Sequence, residues 1–249
     1  MIGMALGTAS DLPPDVLCDL GTTTGLTGPG GTAVLWDLPR TLAPPTGLVA
    51  AAHREAFERV IGRPPSTPPD LTLVTDPRIA VRLLTAERMT AARAARILPR
   101  FLPELVRCFA EQIERCPPSP PPRRFTHLLD AIAATDGVVQ GVVSGALRPI
   151  TALWLETVGL PHLMSDGIGG YGSDHASPDA LCRLACARAR DFHGQRSEVI
   201  LISASPGRLA AGAACGASPV LADPRQPWRL AQTVMTALRT ARPGPRPGR

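Results

Sequence analysis

Short apolar runs separated by helix-length segments constrain this chain more than any other feature. "TAVLW" (32–36), "VVQGVVSG" (138–145), "EVILIS" (198–203) and "SPVLA" (218–222) have the length and composition of buried strands. From Phe125 onward they alternate with the helical patterns "FTHLLDAIAATDG", "LRPITALWLETVG", "PDALCRLACARARDF" and "GRLAAGAACG". Strands alternating with helices of about 10–15 residues imply parallel pairing through right-handed crossovers. The expected fold class is therefore α/β, a Rossmann-like parallel sheet. Its chemistry belongs beyond the carboxyl ends of the strands. Those ends are Asp37, Ser144 and the segment Ser203-Ala204-Ser205.

Between the first run and Phe125 the rhythm is helical. "LVAAAHREAFERVIG" places Leu48, Ala52, Ala56, Phe57 and Val60 on one face, and "FLPELVRCFAEQIERC" does the same with Leu102, Leu105, Val106, Phe109 and Ile113. Between them "LTAERMTAARAARIL" opens on Thr85-Ala-Glu87, which reads as a helix start. The run "CPPSPPPRR" ends helix formation, since proline lacks the amide and clashes with the preceding turn. An all-helical domain is thus expected as an insert after the first strand. The boundaries are a flexible leader at 1–31, the α/β core at 32–46 and 123–241, the insert at 47–122 and a flexible tail at 242–249. In the leader, "DLGTTTGLTG" resembles a phosphate-binding turn, but the "PGGTAV" that follows makes no hairpin, so it reads as lead-in. "SDGIGGYGSDHAS" (165–177) reads as a glycine-rich loop.

Composition narrows the partners. All 26 basic residues of the 249 are Arg, the net charge is +5, and the arginines are scattered with only 4% aromatics to interleave. Nucleic-acid binding calls for a clustered basic stripe with stacking rings, so none is expected. No apolar stretch approaches the ~18 residues of a membrane span, and the first residues lack the features of a signal peptide. No membrane partner is expected, and the cytoplasm is the expected compartment. Cys182 and Cys186 lie one turn apart on a helix without a second ligand pair, which points to core packing rather than a metal site.

The strand ends and the helical insert together resemble the haloacid dehalogenase (HAD) superfamily, in particular its phosphoglycolate-phosphatase-like members with a helical cap. The family's Asp-x-Asp-Gly-Thr-Leu corresponds to Asp37-Leu38-Pro39-Arg40-Thr41-Leu42, its Ser or Thr after the second strand to Ser144, and its closing acidic segment to "SEVILISASPGRLAAGAACGASPV". The resemblance covers about residues 32–225 and implies catalytic roles for Asp37, Thr41, Ser144 and His175, the last standing near the family's Lys-Pro position in "HASP". In an active member the first Asp attacks phosphorus, the second transfers the proton, and Mg²⁺ bridges the nucleophile, the substrate and a later acid.

Here the proton-transfer position is Pro39, the metal-binding position is Ala204, and a further acid nearby is Arg208. No cofactor is expected, because the Mg²⁺ ligand positions carry Pro39 and Ala204, and no resident metal is expected. Arg208 is a candidate to replace the ion with its own charge; Arg148 and Arg183 are candidate phosphate cations. Asp166 and Asp174 flank the glycine-rich loop and are turn formers or cation ligands. Two plainer roles stand beside these: Asp37 as a turn cap and Ser144 as the N-cap of the helix starting near Leu147. The expected function is a HAD-like pseudo-phosphatase with a binding or regulatory role, its cleft between cap and core holding a small phosphate or organic anion, or a protein partner. The alternative is a hydrolase of weak or unusual activity on a small phosphorylated metabolite, with Asp37 as nucleophile. A third is a metal-independent tailoring enzyme that reuses the same cleft.

Overall fold

A computed structural model describes residues 31–37, 46–73, 75–121, 123–164, 167–195, 197–222, 233–234 and 236–238. The leader apart from Gly31, the tail, and Pro39, Thr41 and Asp166 lie outside the described residues. The elements are β1 (Thr32–Asp37), α1 (Thr46–Ile61), α2 (Asp76–Ala86), α3 (Ala91–Arg115), α4 (Arg123–Ala133), β2 (Val138–Ser144), α5 (Arg148–Thr157), β3 (Gly169–Tyr171), α6 (Pro178–His193), β4 (Glu198–Ser203), α7 (Pro206–Ala213) and β5 (Ser218–Leu221). The five strands form one sheet in the order β3-β2-β1-β4-β5, with every pairing parallel. The α/β expectation is met.

Both faces of the sheet are covered, which is why its strands read as near-continuous apolar runs. Val34 and Trp36 of β1 join a cluster with residues of α1 to α5, while Ala33 and Leu35 pack with Leu181, Cys182, Ala185 and Cys186 of α6. The alternation is the two-residue period of a strand between two helical layers. On α1, Ala52, Ala56 and Phe57 are fully buried, as its periodicity predicts.

Three expectations need correction. Residues 84–98 do not begin a helix at Thr85. Helix α2 ends at Ala86, and Thr85 Oγ1 donates back to the Val81 carbonyl. The chain turns through Arg88 at φ 62°, and Thr90 is the real N-cap, accepting from the Arg93 amide. Next, the two helical patterns that follow are one helix, α3, which runs through Pro99 and Pro103. An interior proline costs about 3 kcal/mol. Burial of Phe101, Leu105, Phe109 and Ile113 offsets that, at about 1.5–3 kcal/mol for each large side chain. Finally, the glycine-rich loop contains a strand, β3, aligned with Val142–Ser144 of β2. Glycine disfavours strands in general, but here α6 lies directly on the β3 backbone. A Cβ at Gly170 would sit 2.3 Å from the Leu181 carbonyl.

Candidate functional site

The chain runs outward from β1 through β2 to β3, then returns to the other side of β1 as β4 and β5. The strand order therefore reverses between β1 and β4, and open α/β sheets bind ligands at the carboxyl end of such a switch point. Asp37 is the last residue of β1 and Ser203 the last of β4. Both are buried, Asp37 at 1% exposure. Ser203 Oγ donates to Asp37 Oδ2 at 2.5 Å and accepts from the Ser205 amide at 2.9 Å. Arg208, in the first turn of α7 and 5% exposed, donates from Nη1 to Asp37 Oδ1 at 2.7 Å. A cation in a first helical turn opposes the helix dipole, so the Asp37 carboxylate is what makes that placement tolerable. Among the described residues Arg208 Nη2, which is buried, has no hydrogen-bond partner.

The arrangement is a buried ion pair in which each oxygen of the carboxylate has a donor. Replacing one partner of such a pair strands the other charge, whereas the intact pair is close to neutral in stability. A guanidinium keeps its charge at any ordinary pH. The residues present do not fit the divalent ion that the HAD resemblance implies. Magnesium demands a near-octahedral set of oxygens, yet Ala204 offers no side-chain oxygen and Arg208 places a cation 2.7 Å from the carboxylate. Among the described residues no group of three or more His, Cys, Asp or Glu is placed to hold a metal ion.

The other predicted residues divide. Ser144 is buried at the end of β2, one residue beyond Val143, which aligns with Asp37. Its Oγ accepts from Thr151 Oγ1 at 3.0 Å and from the Ala146 amide at 3.2 Å, and the N-cap of α5 is Leu147 rather than Ser144. His175 is exposed, and its Nδ1 accepts from the Ser177 amide ahead of α6. Asp174 is tied to Arg188 by two contacts of 2.8 and 2.9 Å and accepts from the Tyr171 amide, so it pins β3 to α6. Burial pushes its carboxyl up, but the Arg188 and amide hydrogen bonds outweigh that and hold it below its ordinary value. Arg183 is exposed, and Arg148 stacks over the Tyr171 ring at 5.4 Å. Burial raises the Cys182 and Cys186 thiols to about 12 and about 11, which leaves them protonated core residues.

A second buried acid went unread in the sequence. Asp76 opens α2 and is 4% exposed. Its Oδ2 accepts from the Leu147 amide at the start of α5 (2.8 Å), and its own amide donates to the Gly145 carbonyl (2.9 Å). Its Oδ1 lies 3.5 Å from Nε2 of His53, an α1 residue 1% exposed whose Nδ1 meets the Val49 carbonyl at 2.9 Å. Two signals marked these residues. His53 lies four before Phe57 on the buried face of α1, and Asp76-Pro77 is a helix-opening pair. Elsewhere in the helical region a cavity of about 410 Å³ opens between α1 and the proline-rich segment, lined by Gly47, Ala51, Arg54, Ser66 and Thr67 among others.

No helix among the described residues is long and apolar enough to cross a membrane. No protein-family model matches the chain, and no curated protein matches it.

Proposed function

We propose that this chain is a HAD-like pseudo-phosphatase: a scaffold that no longer carries out metal-dependent phosphoryl transfer and uses its sheet-edge cleft for binding or regulation. One observation carries the proposal, the seating of Arg208 on Asp37 in a site closed to solvent. A nucleophilic carboxylate must be reachable by phosphorus, and Asp37 is 1% exposed. Here Oδ1 faces a guanidinium and Oδ2 faces the Ser203 hydroxyl. Proton transfer would fall to Pro39, which has no group to do it, and that loss alone costs ~10²–10⁴ in rate. Phosphate-monoester hydrolysis, among the slowest uncatalysed reactions, has little room for such losses.

The ligand best suited to the cleft is a small phosphate or organic anion. Arg208 Nη2 is a buried donor without an acceptor, and such groups call for an explanation. An oxyanion would complete the guanidinium's second edge.

The test is hydrolysis of an aryl phosphate and of small phosphate esters, with and without Mg²⁺. Three proteins are compared: the native chain, Asp37→Asn, and a triple variant carrying Pro39→Asp, Ala204→Asp and Arg208→Ala. The native chain and Asp37→Asn are expected to be equally inert, with turnover confined to the triple variant. Native turnover that Asp37→Asn abolishes would sink the proposal and establish a hydrolase.

A further inference from the structure

The helical region shares an apolar cluster with the sheet and packs α3 on α5, and among the described residues its hydrogen bonds to the core gather at one small junction, where Thr75 and Asp76 reach two core loops. Thr75 Oγ1 donates to the Ala176 carbonyl at 2.9 Å, while Asp76 exchanges hydrogen bonds with Gly145 and Leu147. Behind the Asp76 carboxylate stands His53. A carbonyl can only accept, so the Val49 contact fixes a proton on His53 Nδ1. That leaves Nε2, buried and without a hydrogen-bond partner among the described residues, facing Asp76 Oδ1 across 3.5 Å.

We propose that His53 and Asp76 form a one-proton latch that clamps the helical region onto the turn 145–147. With a proton between Nε2 and Oδ1 the buried Nε2 gains its partner and the clamp is firm. Without it, Asp76 is a buried carboxylate supported mainly by one amide, and the clamp loosens.

The surroundings bring no second charge to the junction among the described residues. Helix α3, packed on α1 and α2, turns Ala94, Phe101, Leu105 and Cys108 inward. Arg54 and Arg78 on α1 and α2 are exposed. The core presents Ser144 and Thr151, bonded to each other, while Arg148 lies over Tyr171 and His175 takes the Ser177 amide. Burial pushes the Asp76 carboxyl above its ordinary value, against the opposing pull of His53 and the Leu147 amide. An acid with a higher pKa closed than open takes up its proton on closing. The latch is therefore firmest at low pH and loosens as pH rises through the closed-state pKa.

The latch holds whether or not Asp37 retains turnover, and its test does not read turnover. Hydrogen–deuterium exchange of residues 144–148, corrected for intrinsic chemistry, is followed against pH in the full chain. Protection in the native protein is expected to fall as pH rises, by no more than ~10-fold per pH unit, the limit for one linked proton. β1 and β4 stay protected throughout. In Asp76→Asn the amide donates to Nε2 and still accepts from Leu147, so protection is high and independent of pH. Native protection that is flat with pH or rises with it overturns the latch. So does a pH dependence that survives Asp76→Asn, or opening that spreads equally to β1 and β4.

Discussion

Two buried carboxylates sit at the carboxyl edge of this sheet and are handled in opposite ways. Asp37, at the end of β1, meets a permanent cation and a hydroxyl, one on each oxygen. Asp76, brought in by α2, meets a neutral amide and, across 3.5 Å, an imidazole nitrogen that makes no hydrogen bond to it. A guanidinium holds its charge across the accessible pH range, so the first acid keeps its charged partner throughout. Asp76 has no such permanent partner and burial pushes its carboxyl above the ordinary value, so the second remains adjustable. The sequence resemblance draws attention to the acid that is immobilised, while the acid free to respond lies outside the motifs that carry the resemblance.

The sharpest way to break this contrast is Arg208→Ala, which strands Asp37 without its cation. It should cost about 3–5 kcal/mol in urea unfolding, whereas the apolar pair Asp37→Leu with Arg208→Met should be near neutral. Equal losses in the two variants would mean that Arg208 matters for packing and not for charge. Asp76→Ala should cost less, about 1.5–3 kcal/mol, because it removes one hydrogen bond to a charged group and leaves the Leu147 amide unmet. A loss as large as that of Arg208→Ala would erase the distinction between the two acids.

The smallest effect comes from the exposed charge network on α1 and α3. Glu55 is held down at about 2, first by the Arg115 hydrogen bond and then by Gln112 and Arg59, against a raising effect of burial. Its sign is opposite to that of Asp76. A depressed acid contributes stability that is present above its unfolded pKa of ~4.3 and is lost as pH falls toward 2. Solvent screening keeps this to about 1 kcal/mol or less. Unfolding midpoints of Glu55→Gln and the native chain should draw together as pH falls from 4 to 2, and a gap that does not narrow over that range would refute the assignment.

How much of this was legible follows from where each signal lies. β1, β2, β4 and the helices α1, α5 and α6 were readable because burial between two layers writes itself into local periodicity. β3 was not, because Gly169-Gly170 answers to the backbone of α6 and not to strand propensity. The break between α2 and α3 was misplaced because Thr85 and Thr90 offer equivalent cap chemistry, and tertiary packing selects the second. At the site, Asp37 and Arg208 were both singled out, 171 residues apart. His175 was expected to act there and instead braces its own loop.

The sequence by itself determined the layered α/β architecture, the position of Asp37 at a strand end, and that positions 39 and 204 carry Pro and Ala, without an acidic side chain. Each is a property of short stretches, where the period of apolar residues and the identity of single side chains suffice. Only the tertiary structure decided that Arg208 reaches Asp37, that Ser144 bonds Thr151, and that Asp76 fastens the helical region to α5 under His53. Those contacts join residues far apart in the chain. Hydrogen bonds and ion pairs act over about 3 Å, so they exist only once the sheet and its helices have brought those atoms together.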